Sequence, residues 1–147
     1  MHQLSSLPFV NLSLGHMSVE LTMLALAIVL GFVHLFLAAQ FVTRERGFGW
    51  NTGARDVTAP LTGKLAGRLD RAFANFKETF PFFAVAVLMA AFLGRHNWQT
   101  VWGAQLYLVA RTVYLPLYAA GIPLLRTLVW IASMVGIVMV LIPLFAG

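Results

Sequence analysis

The sequence predicts an all-α integral membrane protein: an up-down bundle of four transmembrane helices. Three observations carry that prediction. The 147-residue chain is 60% hydrophobic and 10% charged, whereas soluble domains carry about 25% charged residues. Its apolar residues gather into four stretches, each near the roughly 20 residues needed to cross a bilayer. The connections between the second, third and fourth stretches are short, which favours antiparallel neighbours. The length suits one domain over residues 1–147.

Residues 1–18 contain no Lys or Arg and are expected to form an arm near the membrane surface. The apolar run that follows is too long for the core of a cleaved signal. The first span is expected over residues 19–42, VELTMLALAIVLGFVHLFLAAQFV. His34 is alone there and is expected to hydrogen-bond across a helix contact. A long connection, residues 43–68, is rich in Gly, Thr and charge.

The second span is expected over residues 69–93, its first two turns polar and projecting beyond the hydrocarbon. Pro81 removes the bond to the Lys77 carbonyl and is expected to kink this span. The third and fourth spans are expected over residues 98–119 and 123–145. Pro123 suits a first helical turn, and Gly94 and Gly121 punctuate the two short turns. Ala132 and Gly136 make a small-xxx-small step suited to helix packing.

The net charge of +5 is no nucleic-acid signature, because most of the basic residues cluster in one loop and the helix starts beside it, and the two inside later spans are isolated. That loop holds Arg44, Arg46, Arg55, Lys64 and Arg68, against Arg95 alone in the next turn. The bias predicts a cytoplasmic long loop, with both termini on the opposite side. There is no cysteine, which excludes disulfides, thiolate nucleophiles from the chain and cysteine metal sites. His2, His16 and His96 have no paired spacing, so no metal site is expected.

Arg71, Asn75 and Glu78 fall at i, i+4 and i+7 and share one helix face as the second span begins. Ionisable groups in such segments face a protein interior or a wet cavity and mark sites. Under the expected orientation, Arg111, Tyr114 and Tyr118 of the third span approach the same membrane side, as does Arg126 of the fourth. This inventory suits a small zwitterion or anion: arginine forks pair with carboxylates, Glu78 accepts from an ammonium, and Asn75 both donates and accepts. Arg126 would stabilise a thiolate, which the ligand must supply, and Thr127 would add a hydroxyl. Simpler accounts compete. Arg71 and Glu78 can neutralise each other, the tyrosines can form an interfacial belt, and Arg111 can snorkel to the surface.

RAFANFKETFPFF carries an R-x-x-x-N-x-x-E pattern ahead of an aromatic, proline-containing run, and ARTVYLPLYAAGIPLLRT carries A-R-x-x-Y-x-x-x-Y ahead of the arginine opening the fourth span. At these residues the chain resembles the MAPEG family, the membrane-associated proteins in eicosanoid and glutathione metabolism. The resemblance covers about residues 20–145, and the GFGWNTGARD loop looks like bacterial members, which implies a bacterial inner membrane.

The resemblance implies a homotrimer with glutathione between neighbouring subunits. Arg71, Asn75 and Glu78 would hold the tripeptide, Tyr114 and Tyr118 would line the site, and Arg126 would face the sulfur beside Thr127. A basic residue ending the first span, Arg44 or Arg46, would contribute. The implied activity is a transferase or peroxidase acting on hydrophobic electrophiles or lipid hydroperoxides that arrive through the bilayer. The family also contains non-enzymatic members, so a lipid- or glutathione-binding scaffold, or an accessory subunit of a membrane complex, stands as the alternative.

Overall fold

The computed structural model describes residues 17–55 and 60–145; most of the N-terminal arm, with His2 and His16, lies outside them. Helices follow in the order α1 (Val19–Arg46), α2 (Phe48–Thr52), α3 (Lys64–Phe92), α4 (Trp98–Ala120) and α5 (Pro123–Phe145). The four long ones form an all-α bundle with a shared core. Leu24 and Ala27 of α1, Phe83, Ala86, Val87 and Ala90 of α3, Ala104 and Tyr107 of α4, and Ile137 and Val140 of α5 are buried together. Large apolar side chains also cover the outside: Phe32, Phe36, Phe82, Phe92, Trp98, Trp102, Val109 and Leu124 are all more than half exposed. Such a surface would drive association in water but is solvated by lipid.

By length and composition α1, α3 and α5 can each cross a membrane. The expected third span, α4, matches the 23-residue length of α5 but is diluted by Gln99, Thr100, Gln105, Arg111 and Thr112. Composition understates its outer face. Thr100 and Arg111 are buried, and the Thr112 hydroxyl donates to the Leu108 carbonyl at 2.9 Å.

α4 and α5 meet backbone to backbone. A Cβ placed on Gly103 would lie 2.7 Å from the Gly136 carbonyl oxygen, and one on Gly136 would lie 2.8 Å from the Tyr107 nitrogen. Small residues permit this approach, the usual means of helix association in lipid. The partner of Gly136 in close packing is thus Gly103 across the interface. Beside it the Phe83 and Tyr107 rings stack with centroids 3.9 Å apart.

Polar contacts fix the two ends of the bundle. At one end Glu20, 2% exposed, accepts from the Thr100 hydroxyl at 2.6 Å and lies 3.2 Å from His96 Nδ1, joining the start of α1 to the α3–α4 turn. Thr100 also completes the capping box of α4 with Asn97. At the other end Arg68 donates to the Ala119 carbonyl at 3.1 Å, satisfying one of the acceptors that a helix C-terminus leaves open. Gly121 holds φ +77, and a Cβ there would come within 2.4 Å of the Arg68 guanidinium. Glycine is needed twice at this turn, for its backbone and for its bareness.

The connection expected as a loop over residues 43–68 is more structured than that. α1 continues through Arg46, α2 occupies Phe48–Thr52, and α3 begins at Lys64. The reason lies in Glu45, whose Oε1 accepts from the backbone N–H of Thr62, from the Thr62 hydroxyl at 2.9 Å and from the Gly63 N–H at 3.0 Å. Gly63 has no side chain to cap α3, so a carboxylate from the end of α1 supplies the acceptor and a favourable charge at the N-terminus. The Gly63 N–H, followed by those of Thr62, holds the Glu45 carboxyl below its usual value. α3 is helical without a break through Pro81.

Candidate functional site

Arg71, Asn75 and Glu78 share a face of α3 but differ in environment. Asn75 is half-buried, while Arg71 and Glu78 are exposed and make no ion pair with each other or with any other described residue. Mutual neutralisation within the chain therefore does not account for them. Arg111 is 0% exposed, so it does not snorkel. Its Nη1 donates to Asn75 Oδ1 at 2.7 Å and its Nη2 to Thr79 Oγ1 at 2.6 Å. The guanidinium carbon also lies 5.3 Å from the Tyr114 ring centroid and 5.7 Å from that of Tyr107. Arg111 is thus an internal strut between α4 and α3, fixing which way the Asn75 amide points.

Asn75 then lines a cavity of about 250 Å³ with Tyr114, Tyr118, Arg126, Thr127 and Trp130. Three helices contribute, and five of these residues are sequence candidates. The Arg126 guanidinium carbon is 4.5 Å from the Tyr118 ring centroid, a cation–π distance. Tyr118 in turn meets Tyr114 with centroids 5.4 Å apart and planes inclined by 59°. Tyr114 is 4% exposed, which rules it out of a lipid-facing belt. The stack holds Arg126 in the lining it shares with Asn75, with no carboxylate of the described residues paired to it. The Thr127 hydroxyl is occupied locally, donating to the Pro123 carbonyl at 2.9 Å.

Sequence candidates outside this cavity are Arg71, Glu78, Arg111, Arg44 and Arg46. Arg44 lies over Phe41 at 5.4 Å and lines a shallow cavity of about 440 Å³ along α1 with Phe36, Leu37 and Gln40. Arg46 lies over Trp50 at 4.3 Å, in a third cavity. Neither lines Arg126's cavity.

Two residues escaped the sequence analysis. Thr79 sits one turn after Asn75 and anchors Arg111, and that i+4 spacing was its signal. Trp130 sits one turn after Arg126, and its buried Nε1 has no hydrogen-bond partner among the described residues, a donor available where it borders the cavity. His34 also differs from expectation. It is 1% exposed, and its ring stacks on Phe76 at 4.9 Å, with neither nitrogen hydrogen-bonded to a described residue. Gly31, where a Cβ would fall 2.9 Å from the Phe76 ring, leaves that ring the space to lie against His34.

The cavity can accept a small anion or zwitterion. Arg126 supplies fixed positive charge, Asn75 and Trp130 supply directed polar groups, and two phenols complete the wall. Comparison with curated proteins finds no match. The family model described as MAPEG family matches residues 23–146, a stretch that takes in nearly all of the four long helices and every residue of the cavity. The chain therefore belongs to the MAPEG family, whose fold is a four-helix membrane bundle.

Proposed function

We propose that this protein is a glutathione-dependent membrane transferase or peroxidase. The family includes glutathione transferases and peroxidases. The observation that carries the reading is the position of Arg126: a guanidinium with no carboxylate partner among the described residues, stacked on Tyr118 in the wall of the cavity that Asn75 also lines. A thiol placed beside it loses its proton to water more readily, because the cation favours the anionic form. The thiolate then attacks. With an electrophilic carbon, a sulfur–carbon bond forms as the leaving group departs or the adjacent double bond accepts the electron pair. With a lipid hydroperoxide, sulfur takes the terminal oxygen, the O–O bond breaks, and the alkoxide is protonated. A second glutathione reduces the resulting sulfenic acid, giving the disulfide and water.

Asn75, oriented by Arg111, holds the peptide backbone, and Trp130 donates to a carbonyl or carboxylate. Arg71 and Glu78 are exposed, with no ion-pair partner among the described residues. This suits a homotrimer in which glutathione lies between subunits and these two grip its charged ends. Arg44 is the span-one arginine available to a neighbour, since Arg46 is committed to Trp50. One domain of bacterial type, with its long loop cytoplasmic and both termini opposite, completes the proposal. Hydrophobic co-substrates enter from the bilayer.

The test is titration of glutathione into purified protein, following thiolate absorbance. Wild type should lower the thiol pKa. Arg126→Ala should raise it by at least about one unit, equivalent to roughly 1.4 kcal/mol, while binding persists. Unchanged binding and thiolate formation in that variant would overturn the catalytic role. Binding without turnover across a broad panel of electrophiles and hydroperoxides would replace the enzyme with a scaffold.

A further inference from the structure

A second site lies on the other side of α3. Two residues turn a helix by about 200°, so Phe73 and Lys77 point away from Asn75. Between the end of α1, α2 and the start of α3 is a cavity of about 560 Å³ bordered by Arg46, Trp50, Asn51, Arg55 and Asp70, with apolar walls that include Leu35, Val42 and Phe73. Leu35 and Phe73 also border an almost wholly apolar groove of about 340 Å³ that continues along α1 and α3 past Ile28, Phe32, Phe80 and Pro81. The two meet at Leu35 and Phe73, the cavity bordered by charged residues at the loop end and the groove apolar beyond, with Lys77 at its edge. From Ile28 to Arg46 this channel follows about 27 Å of helix, comparable to one lipid in a bilayer about 40–45 Å thick.

The polar end is built. The guanidinium carbons of Arg46 and Arg55 lie 4.3 and 5.2 Å from the Trp50 ring centroid. Arg55 is fixed by three hydrogen bonds to Asn51, at 3.2 and 2.7 Å to its carbonyl and 2.6 Å to its side chain, which leave Nη1 unused among the described residues. Its backbone holds φ +60, the one left-handed non-glycine conformation among the described residues, a strain typical of ligand clamps. Asp70 is exposed and makes no ion pair with a described residue.

We propose that this channel holds one aminophospholipid, its phosphate on Arg55, its ammonium on Asp70 and a chain in the α1–α3 groove. Charge complementarity selects that headgroup: a phosphate alone would leave the Asp70 carboxylate facing an anion. None of the residues lining it borders the cavity of Asn75 and Arg126.

Native mass spectrometry of the full protein taken from nanodiscs of phosphatidylethanolamine and phosphatidylglycerol tests this. Wild type should retain one phospholipid per chain, with phosphatidylethanolamine favoured by about fivefold, the ratio a partly exposed ion pair supports. Asp70→Asn should erase that preference while keeping occupancy. Arg55→Gln should lower occupancy of both lipids, and Leu35→Trp should block the junction and abolish it. Circular dichroism and retained glutathione binding confirm that the variants are folded. Absent retained lipid, occupancy unchanged in Arg55→Gln and Leu35→Trp, or a phosphatidylglycerol preference would overturn the proposal. Cross-links placing a second copy in the channel would do the same.

Discussion

Arg111 lies wholly inside the bundle with no carboxylate in ion-pair reach among the described residues. Its charge is distributed over Asn75, Thr79 and the faces of two tyrosines. Lysine cannot reproduce a forked contact to two acceptors. Arg111→Lys should therefore lower thermal stability in detergent by roughly 2–3 kcal/mol, the worth of one lost charged hydrogen bond. It should also weaken glutathione binding, since Asn75 loses its anchor. Unchanged binding would show that Asn75 needs no positioning. At this scale the sequence was informative where spacing alone groups residues. Asn75, Tyr114, Tyr118 and Arg126 were each identifiable as polar groups at helical intervals. Whether Arg111 faced a ligand or the interior was not, because both arrangements use the same spacing. Only packing decided that Asn75 and Thr79 would consume its forks.

At the scale of helices, the close approach of α4 and α5 rests on Gly103 and Gly136. Gly136→Leu must push the Tyr107 backbone away and should destabilise the protein by about 1–3 kcal/mol, as overpacking does, read as a lower midpoint of thermal unfolding in detergent. Because Tyr107 and Arg111 lie on the same helix one turn apart, glutathione affinity should fall with it. The start of α3 depends instead on Glu45. Its folded pKa is lowered, so the clasp is fully formed above the ordinary carboxylate value and is lost as pH falls through the lower folded value. Amide exchange at Thr62, Gly63 and the first turn of α3, corrected for intrinsic rates, should rise as pH drops below about 4.5. Glu45→Gln should show the raised exchange at neutral pH. The helix starts at Lys64 rather than at residue 69 for this reason. A cap supplied from seventeen residues upstream leaves no local signature. α2 was equally hidden: five residues between glycines carry no periodicity to detect.

For the whole molecule, hydropathy and turn glycines were enough to foresee four long helices, because lipid forces each backbone segment to satisfy its own hydrogen bonds. They did not foresee how the protomer divides its polar residues. Asn75 and Arg126 line one cavity, whereas Arg71 and Glu78 stand exposed on the same bundle with no ion-pair partner among the described residues. The proposed trimer gives both a purpose, and solubilised particles should contain three chains. The most direct measurement is a structure determined with glutathione bound. The account predicts its sulfur beside Arg126, its backbone against Asn75, and its charged ends at Arg71 and Glu78 where a neighbouring subunit closes the cavity. An empty cavity at saturating glutathione, or a sulfur placed away from Arg126, would contradict it.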